Sequence, residues 1–529
     1  MALKKTFFKI MILVTALVFL SVTGTFADGP KRGGTMVYVT PKIPSLNPMH
    51  GSFIAGTVAT QIFAGLTRLN EKDEVVPYLA KSWSFSDGGK TITFKLAENA
   101  TFHDGKPITS EDVAFSIGIV LKNHRFGKQM FGPIEEMDTS DPHTLILHLS
   151  KPHGPLLVAA TSPRHLPIMP KHVYGVGDFN KNPAHKNPVG SGPFTITDKK
   201  LDEYIIMDRN KNHFDGERPY LDRVIGRVVL DKTSVRVGLE KNQFQMADAG
   251  GQIRYRDITD FEKISHLKVT ELKTPNGGGT YLELNNRKEF FKNKKVRQAL
   301  AYAIDRDYLA DVLHDGRSKA SVGPIPFSNL FFDNKLKGYP LDIEKANQLL
   351  DEAGYPKKEN GIRFEFKVAY IAPPFAPDDQ LIIGEHIGTS LKKVGIKVIQ
   401  QPLPRSSWSA KMKNWDYDSA LPRVGDKVDP AVGVGRLYRC DNIKHQPYTN
   451  TSGYCNEKVD ELFIKAALEP DQGKRMAIYS EVQKLLLDEI PMIWLKDSVY
   501  WRFHHKELWI PKYGHTEFFD EMYWKTAQN

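Results

Sequence analysis

The chain has 529 residues, of which 41% are apolar and 25% are charged, and its formal net charge is +10. This length and apolar content exceed what one domain usually holds, so we expect two or three lobes with large cores. Lysine and arginine are scattered among acids, and no basic run is interleaved with aromatic residues. This distribution argues against nucleic-acid binding.

The N-terminal stretch 1–27 has the pattern of a cleavable secretory signal. Three lysines precede an apolar run from Ile10 to Leu20, and the stretch ends in small residues at Ala27. The run is shorter than the roughly 20 residues that a membrane-spanning helix needs, which disfavours an anchor. We expect an exported mature chain that begins at Asp28, with a formal charge lowered from +10 to +7 by the loss of three lysines.

The most specific pattern lies between residues 83 and 117. Ile92, Phe94 and Leu96 alternate with polar residues, which is the period of a strand with one buried face. The Asp-Gly-Gly sequence at residues 87–89 is typical of a tight turn. We therefore predict a β-hairpin here.

A capped helix is predicted after the hairpin. Residues 103–107, His-Asp-Gly-Lys-Pro, indicate a second turn, and Thr109 with Asp112 forms an approximate capping box. Apolar residues then recur on one helical face, which predicts an amphipathic helix. They are Val113, Ile117, Val120 and Leu121.

Several later segments also have the period of amphipathic helices. One covers residues 293–305, and its apolar face is formed by Val296, Ala299, Leu300 and Ala303. Another covers residues 344–355, where Gly354 is placed to end the helix with a left-handed cap. Two more are predicted over residues 460–466 and 474–487.

The chain has two cysteines, Cys440 and Cys455, and both lie in the part that we expect to be exported. In an oxidising compartment such a pair forms a disulfide more often than a metal or catalytic site. We therefore predict a disulfide that closes the intervening loop, which is rich in Asn, Thr, Pro and Gly.

The order of these segments resembles the family 5 extracellular solute-binding proteins, the peptide, nickel and oligosaccharide receptors of ABC importers. The match rests on the pattern at residues 83–117, on VGSGPF at 189–194, on YLELNN at 281–286 and on the helix at 293–305. The resemblance covers nearly all of the mature sequence.

The resemblance implies an α/β fold of the periplasmic binding protein type II kind, with two main lobes around a ligand cleft and a smaller extra lobe. It also implies a monomeric receptor that captures a small solute, above all a short peptide, by hinge closure and delivers it to ABC permease subunits in the inner membrane. Lipid-tethered receptors carry a cysteine at the cleavage point, where this chain has Asp28. We therefore expect a freely diffusing periplasmic protein.

The family pattern further implies how the chain divides into lobes. The expected first lobe is discontinuous, the small lobe is inserted into it, and the third lobe follows. The first lobe comprises residues 28–66, 189–275 and 500–529, the small lobe residues 67–188, and the third lobe residues 276–499.

Two chain crossings join the first and third lobes, so we expect hinges near Lys273–Thr280 and Lys496–Trp501. Glycines at 277–279 can absorb large backbone changes. The same run is also compatible with a plain loop before a strand. We include Gly278 among the candidate ligand contacts.

Asp426 is the first candidate for ligand binding. In the peptide receptors that the chain resembles, an aspartate three residues before an Asp-Pro pair often meets the free amine of the peptide, and Asp426 precedes Asp429-Pro430 by that spacing. A buried ammonium needs such a charge-assisted partner. The same residue is also compatible with a solvated turn aspartate. The chain departs from the family at Pro422-Arg423, where dipeptide receptors usually have Gly-Trp. An arginine at position 423 is suited to pair with a ligand carboxylate or phosphate. It is equally compatible with a surface residue that has no such role.

Three further residues are candidate contacts with weaker support. Trp408 is suited to a pocket wall or to core packing. In the first lobe, Thr40 and Ser45 lie in the loop that the family has after its first strand, where each hydroxyl serves a ligand or a turn.

No motif of an enzyme is present. The chain lacks GxSxG, HExxH, CxxC and a P-loop, so we expect no catalytic residue, no metal site and no cofactor, and a secreted hydrolase is the least favoured alternative. The 17 histidines are scattered, and we expect them at the surface, including adjacent His504 and His505. Oligosaccharides, opines and nickel or haem complexes stay open as ligands because fold does not decide cargo.

Overall fold

The structure is a computed structural model that describes residues 30–43, 45–49, 53–124, 126–248, 253, 257–272, 278–313, 315–372, 379–425, 429–469, 471–497, 499–512 and 519–525. The predicted signal at 1–27 lies outside these residues. No helix within the described ranges is both long and apolar enough to cross a bilayer.

The first lobe is built on a seven-stranded mixed sheet whose strands come from both ends and the middle of the chain. The strand Thr35–Thr40 pairs in parallel with two neighbours, and the outer pairs are antiparallel. Side chains cover both faces of this strand, because Met36 and Tyr38 pack into one core cluster and Val39 into another. Across the sheet the strands are Leu267–Leu272, Tyr500–His505, Met246–Asp248, Thr35–Thr40, Arg223–Val228, Tyr204–Arg209 and Phe194–Lys200.

The third lobe is built on a second seven-stranded sheet. Its strand Gly278–Leu284 is buried at every position, which explains why this segment lacks polar alternation in its sequence. The strands of this sheet are Lys319–Ala320, Met492–Asp497, Gly278–Leu284, Ser419–Ala420, Phe364–Ile371 and Ile396–Leu403, with Arg423–Gly425 paired to Gly278–Leu284.

The small lobe contains a four-stranded antiparallel sheet of Ala80–Ser86, Thr91–Leu96, Thr144–Leu149 and Ile134–Asp141, in that spatial order. The predicted hairpin and helix are both confirmed. Ile92, Phe94 and Leu96 are buried, and Thr109 and Asp112 form a full capping box at the start of the helix.

Two short antiparallel ribbons lie outside the three larger sheets. One pairs Thr67–Leu69 with Val75–Pro77, and the other pairs Leu508–Trp509 with Tyr523–Trp524.

Helices cover the sheets. The predicted helix at 293–305 is confirmed over Lys294–Ala303, and its four predicted apolar residues are buried. Gly354 adopts φ +84° just after the helix Ile343–Glu352, as its predicted cap requires. The other α-helices are Phe53–Ile62, Ser110–Asn123, Gly127–Phe131, Pro155–Ala159, Lys171–Tyr174, Lys232–Glu240, Ile258–Phe261, Glu289–Lys292, Arg306–Leu313, Asp379–Lys392, Arg405–Asn414, Glu457–Leu468 and Gln472–Glu489.

The disulfide between Cys440 and Cys455 is present, with its α-carbons 4.8 Å apart. The loop that it closes is also held by Asn450, whose Nδ2 donates to the carbonyl oxygens of Arg439 (3.0 Å) and Tyr454 (2.7 Å). Covalent and hydrogen-bond constraints therefore fix this polar loop beside the third-lobe sheet.

The exact lobe boundaries stay a prediction. Residues 273–277 of the first predicted hinge lie outside the described residues. Gly278 and Gly279 do not form a plain loop, because they belong to the strand Gly278–Leu284. A Cβ added to Gly278 would lie 1.8 Å from the carbonyl oxygen of Val424, so only glycine allows this close approach of two strands.

Candidate ligand-binding site

The candidate site lies where the strand Arg423–Gly425 ends in the third lobe. This strand runs antiparallel to Gly278–Leu284, with Arg423 opposite Thr280 and Gly425 opposite Gly278. Two of the candidate residues, Arg423 and Gly278, thus lie on neighbouring, directly paired strands. Asp426, the next residue along the chain, lies outside the described residues.

The chain is anchored again immediately after this point by Asp429. The Asp429 carboxylate is 2% exposed, and it pairs with the guanidinium of Arg475 at 2.5 Å. The hydroxyl of Tyr479 donates to the other carboxylate oxygen at 3.2 Å, and the Ala431 amide donates to it at 2.9 Å. Both carboxylate oxygens of Asp429 are therefore engaged, and this residue is a structural anchor.

Charges and burial reinforce this anchor. Burial alone would lower the pKa of Arg475, but the Asp429 carboxylate and the Tyr479 hydroxyl outweigh it and raise that pKa above its ordinary value. Burial also raises the pKa of Tyr479 well above its usual range, so its hydroxyl keeps the proton that it donates. The guanidinium further lies over the ring of Phe331, 4.9 Å from its centroid.

Arg436 ties the two sides of the site together. Its guanidinium donates to the carbonyl oxygens of Gly425 (2.9 Å), Gly433 (2.8 Å) and Tyr448 (3.0 Å). One buried side chain thus holds the strand end before Asp426 and the turn after it. Both flanks of the segment that carries Asp426 are fixed.

The other candidate residues have local partners. Trp408 is 2% exposed, and its indole Nε1 donates to the carbonyl oxygen of Ala369 at 3.4 Å, so it packs inside the third lobe. Thr40 ends the first-lobe strand, and its hydroxyl donates to the Lys42 carbonyl oxygen at 3.1 Å. The Ser45 hydroxyl oxygen accepts the Asn47 amide at 3.1 Å. Their role as ligand contacts stays a prediction.

The supporting residues Arg436, Arg475 and Tyr479 are not predicted from the sequence. Arg475 and Tyr479 are one helical turn apart on Gln472–Glu489, which was a usable signal for a shared buried face. Their partner Asp429 lies 46 residues before Arg475, and no local pattern connects them.

The expectation that the histidines lie at the surface is wrong for His165, His213 and His504, which are 7%, 5% and 3% exposed. His504 lies within the first-lobe sheet, on the strand Tyr500–His505. Its Nε2 lies 2.9 Å from the Thr270 hydroxyl and its Nδ1 lies 3.1 Å from the Leu508 carbonyl oxygen. Burial lowers its pKa to about 4, so it is neutral and structural. Within the described parts of the chain, no group of three or more His, Cys, Asp or Glu side chains is placed to hold a metal ion.

Comparison with known proteins assigns the family. The model of the bacterial extracellular solute-binding proteins, family 5, middle region, matches residues 74–445. The chain belongs to this family. The predicted family and the predicted type II periplasmic-binding fold are thereby confirmed, and the protein is a solute-binding receptor of the kind that serves ABC transporters.

Individual relatives differ in cargo. The oligopeptide-binding protein AppA of Bacillus subtilis is 27% identical over 496 residues, which cover 89% of this chain and 87% of AppA. Heme-binding protein A of Haemophilus influenzae is 26% identical and covers 88% of this chain and 87% of its own length. The solved structure of the ABC transporter substrate-binding protein CtaP from Listeria monocytogenes has 26% identity and a TM-score of 0.81, covering 94% of this chain and 100% of CtaP.

Proposed function

We propose that this protein captures a short peptide between its first and third lobes. In this proposal the Asp426 carboxylate accepts hydrogen bonds from the free ammonium group of the peptide. The observation that carries the proposal is the fixed frame around Asp426. Gly425 pairs with Gly278, Asp429 is held by Arg475, and Arg436 bridges the two flanks. Anchored flanks lower the ordering cost of binding through the segment between them.

The chemistry of a closed cleft favours this assignment. An ammonium removed from water loses its hydration, and only a charged, hydrogen-bonded partner offsets that loss. The similarity to an oligopeptide-binding protein over most of both chains supports a peptide as the cargo.

A second candidate cargo is a carboxylate-bearing complex such as haem. Two observations favour it, the departure from the dipeptide-receptor pattern at Arg423 and the similarity to a heme-binding protein. The guanidinium of Arg423, at the start of the strand Arg423–Gly425, suits a ligand carboxylate.

The same proposal includes the cellular setting. Cleavage before Asp28 releases a monomeric periplasmic protein, which closes over its ligand and delivers it to the permease subunits of an ABC transporter. The protein only captures and delivers, so the ligand leaves chemically unchanged.

A thermal-shift panel of peptides, haem, a nickel–histidine complex and oligosaccharides tests the cargo class. A ligand at 100 times its dissociation constant stabilises the folded protein by about 2.7 kcal/mol. We expect free-amine peptides to raise the melting temperature most. A larger shift with haem and none with peptides would replace the peptide proposal with the second candidate.

A further inference from the structure

A cavity of about 680 Å³ lies between the small lobe and the third lobe. Its small-lobe wall includes Lys128 and Lys151, and its third-lobe wall includes Arg436, Arg439 and Lys444. Cavities of this size commonly hold small organic ligands. Among the described candidate contacts for the peptide, none of Arg423, Trp408, Gly278, Thr40 and Ser45 lines it, so the cavity is separate from that part of the peptide site.

The charge of the cavity is strongly one-sided. Its described lining contains five cationic side chains and one carboxylate, that of Asp441. Asp441 is already engaged by the Arg439 guanidinium at 2.5 Å. The ammonium groups of Lys128, Lys151 and Lys444 form no ion pair with any other described residue.

The three lysines come from separate parts of the fold. Lys128 lies on the helix Gly127–Phe131, Lys151 follows the strand Thr144–Leu149, and Lys444 lies in the disulfide-closed loop. Like charges repel one another. No local sequence pattern would place these three lysines around one cavity. Low-dielectric walls lined by one sign of charge focus a field that attracts the opposite sign.

The cavity also has an apolar side. Leu121, Ile464 and Leu468 line it, and the side chain of Ile464 is 41% exposed. An inorganic anion alone would leave this surface in contact with water. An anion with an apolar body would cover it.

Direct contacts connect the small lobe and the third lobe next to the cavity. Val432 of the third lobe belongs to the small-lobe core, and the amide of Gly154 donates to the Ala467 carbonyl oxygen at 2.7 Å. The Arg436 guanidinium lies 5.0 Å from the centroid of the Phe126 ring. Direct contacts across the lobe boundary therefore join the two walls of the cavity.

We propose that this cavity is a second binding site, which takes a small organic anion with a phosphate or carboxylate group and an apolar body. The anionic group lies among Lys128, Lys151 and Lys444, and the apolar body lies against Leu121 and Ile464. The site goes beyond the proposed capture of a peptide, and it exists whichever cargo the main cleft takes.

Calorimetric titration of the mature protein with phenyl phosphate tests the proposal. Phenyl phosphate should bind saturably, more tightly than inorganic phosphate, and phenol should give no measurable binding. Higher salt should weaken the binding, because the contact is between charges near solvent. Benzoate in place of phenyl phosphate distinguishes a carboxylate-preferring site from a phosphate-preferring one.

The triple variant Lys128→Gln, Lys151→Gln, Lys444→Gln should weaken phenyl phosphate binding at least tenfold and reduce its salt dependence, because three of the five cationic side chains of the lining are lost. A control with the same change of charge replaces the exposed lysines Lys211, Lys241 and Lys393 by glutamine and should bind as the unaltered protein does. Equal binding by both triple variants, or no saturable binding to the unaltered protein, would overturn the proposal. Because no peptide is used, failure here leaves the peptide proposal standing, and the reverse also holds.

Discussion

Breaking the buried pair between Arg475 and Asp429 should destabilise the third lobe strongly. The two side chains are 7% and 2% exposed, so neither charge can return to water when its partner is removed. Removing one partner of a buried ion pair costs about 3 to 5 kcal/mol. Arg475→Met keeps much of the apolar stem, and among the described residues it leaves the Asp429 carboxylate with the Tyr479 hydroxyl and the Ala431 amide.

A double-mutant cycle in urea measures this loss. Arg475→Met and Asp429→Asn should each lower the free energy of unfolding by about 3 to 5 kcal/mol, and the double variant should lose much less than the sum because both changes remove one contact. Additive losses would refute the assignment of this pair as the anchor.

The exposed pair Arg236 and Glu240 supplies the matched control. Its side chains are 40% and 37% exposed, with a separation of 2.8 Å. Arg236→Met should therefore lower the free energy of unfolding by less than about 1 kcal/mol. If Arg475→Met costs no more than this control, burial does not govern the strength of the pair and the reasoning fails.

Three other outcomes follow from the structure. Reducing the Cys440–Cys455 disulfide should lower the free energy of unfolding by about 3 kcal/mol, and native oxidised protein should show no thiol that reacts with Ellman's reagent. Burial raises the pKa of Asp497 from 3.8 to about 6. Between these two values the folded state holds a proton that the unfolded chain releases, so stability falls as pH rises from about 4 to about 6. Asp497→Asn should remove this fall in thermal melts. His504 acts in the opposite direction, because burial lowers its pKa from 6.5 to about 4. Its contribution is complete above pH 6.5 and is lost as pH falls toward 4, so melts of His504→Gln should show less destabilisation by acid than the unaltered protein, and an unchanged acid slope would contradict this.

Local patterns predicted local structure well. The hairpin at Thr91–Leu96, the capping box at Thr109 and the left-handed Gly354 each depend on residues within a few positions of one another. The physics that fixes them is short-ranged, so periodicity and turn chemistry were sufficient.

Contacts between residues far apart in the chain could not be predicted from the sequence. Asp429 appeared only as part of a spacing motif, and its pairing with Arg475 depends on how the helix Gln472–Glu489 packs beneath the site. The same holds for Arg436, whose three carbonyl partners come from a strand end, a turn and the disulfide-closed loop. The burial of His504 depends on strands that lie more than 200 residues apart in sequence, so its environment could not be predicted from neighbours.

The most direct test of the account is calorimetry with the peptide that the thermal-shift panel ranks first, in its free-amine and N-acetylated forms, on the mature protein and on Asp426→Ala. In the unaltered protein, acetylation should cost on the order of 2 to 5 kcal/mol of binding free energy. In Asp426→Ala, acetylation should cost far less, because the carboxylate that held the ammonium is already gone. Equal losses on acetylation in both proteins, or peptide binding that Asp426→Ala leaves unchanged, would contradict the account.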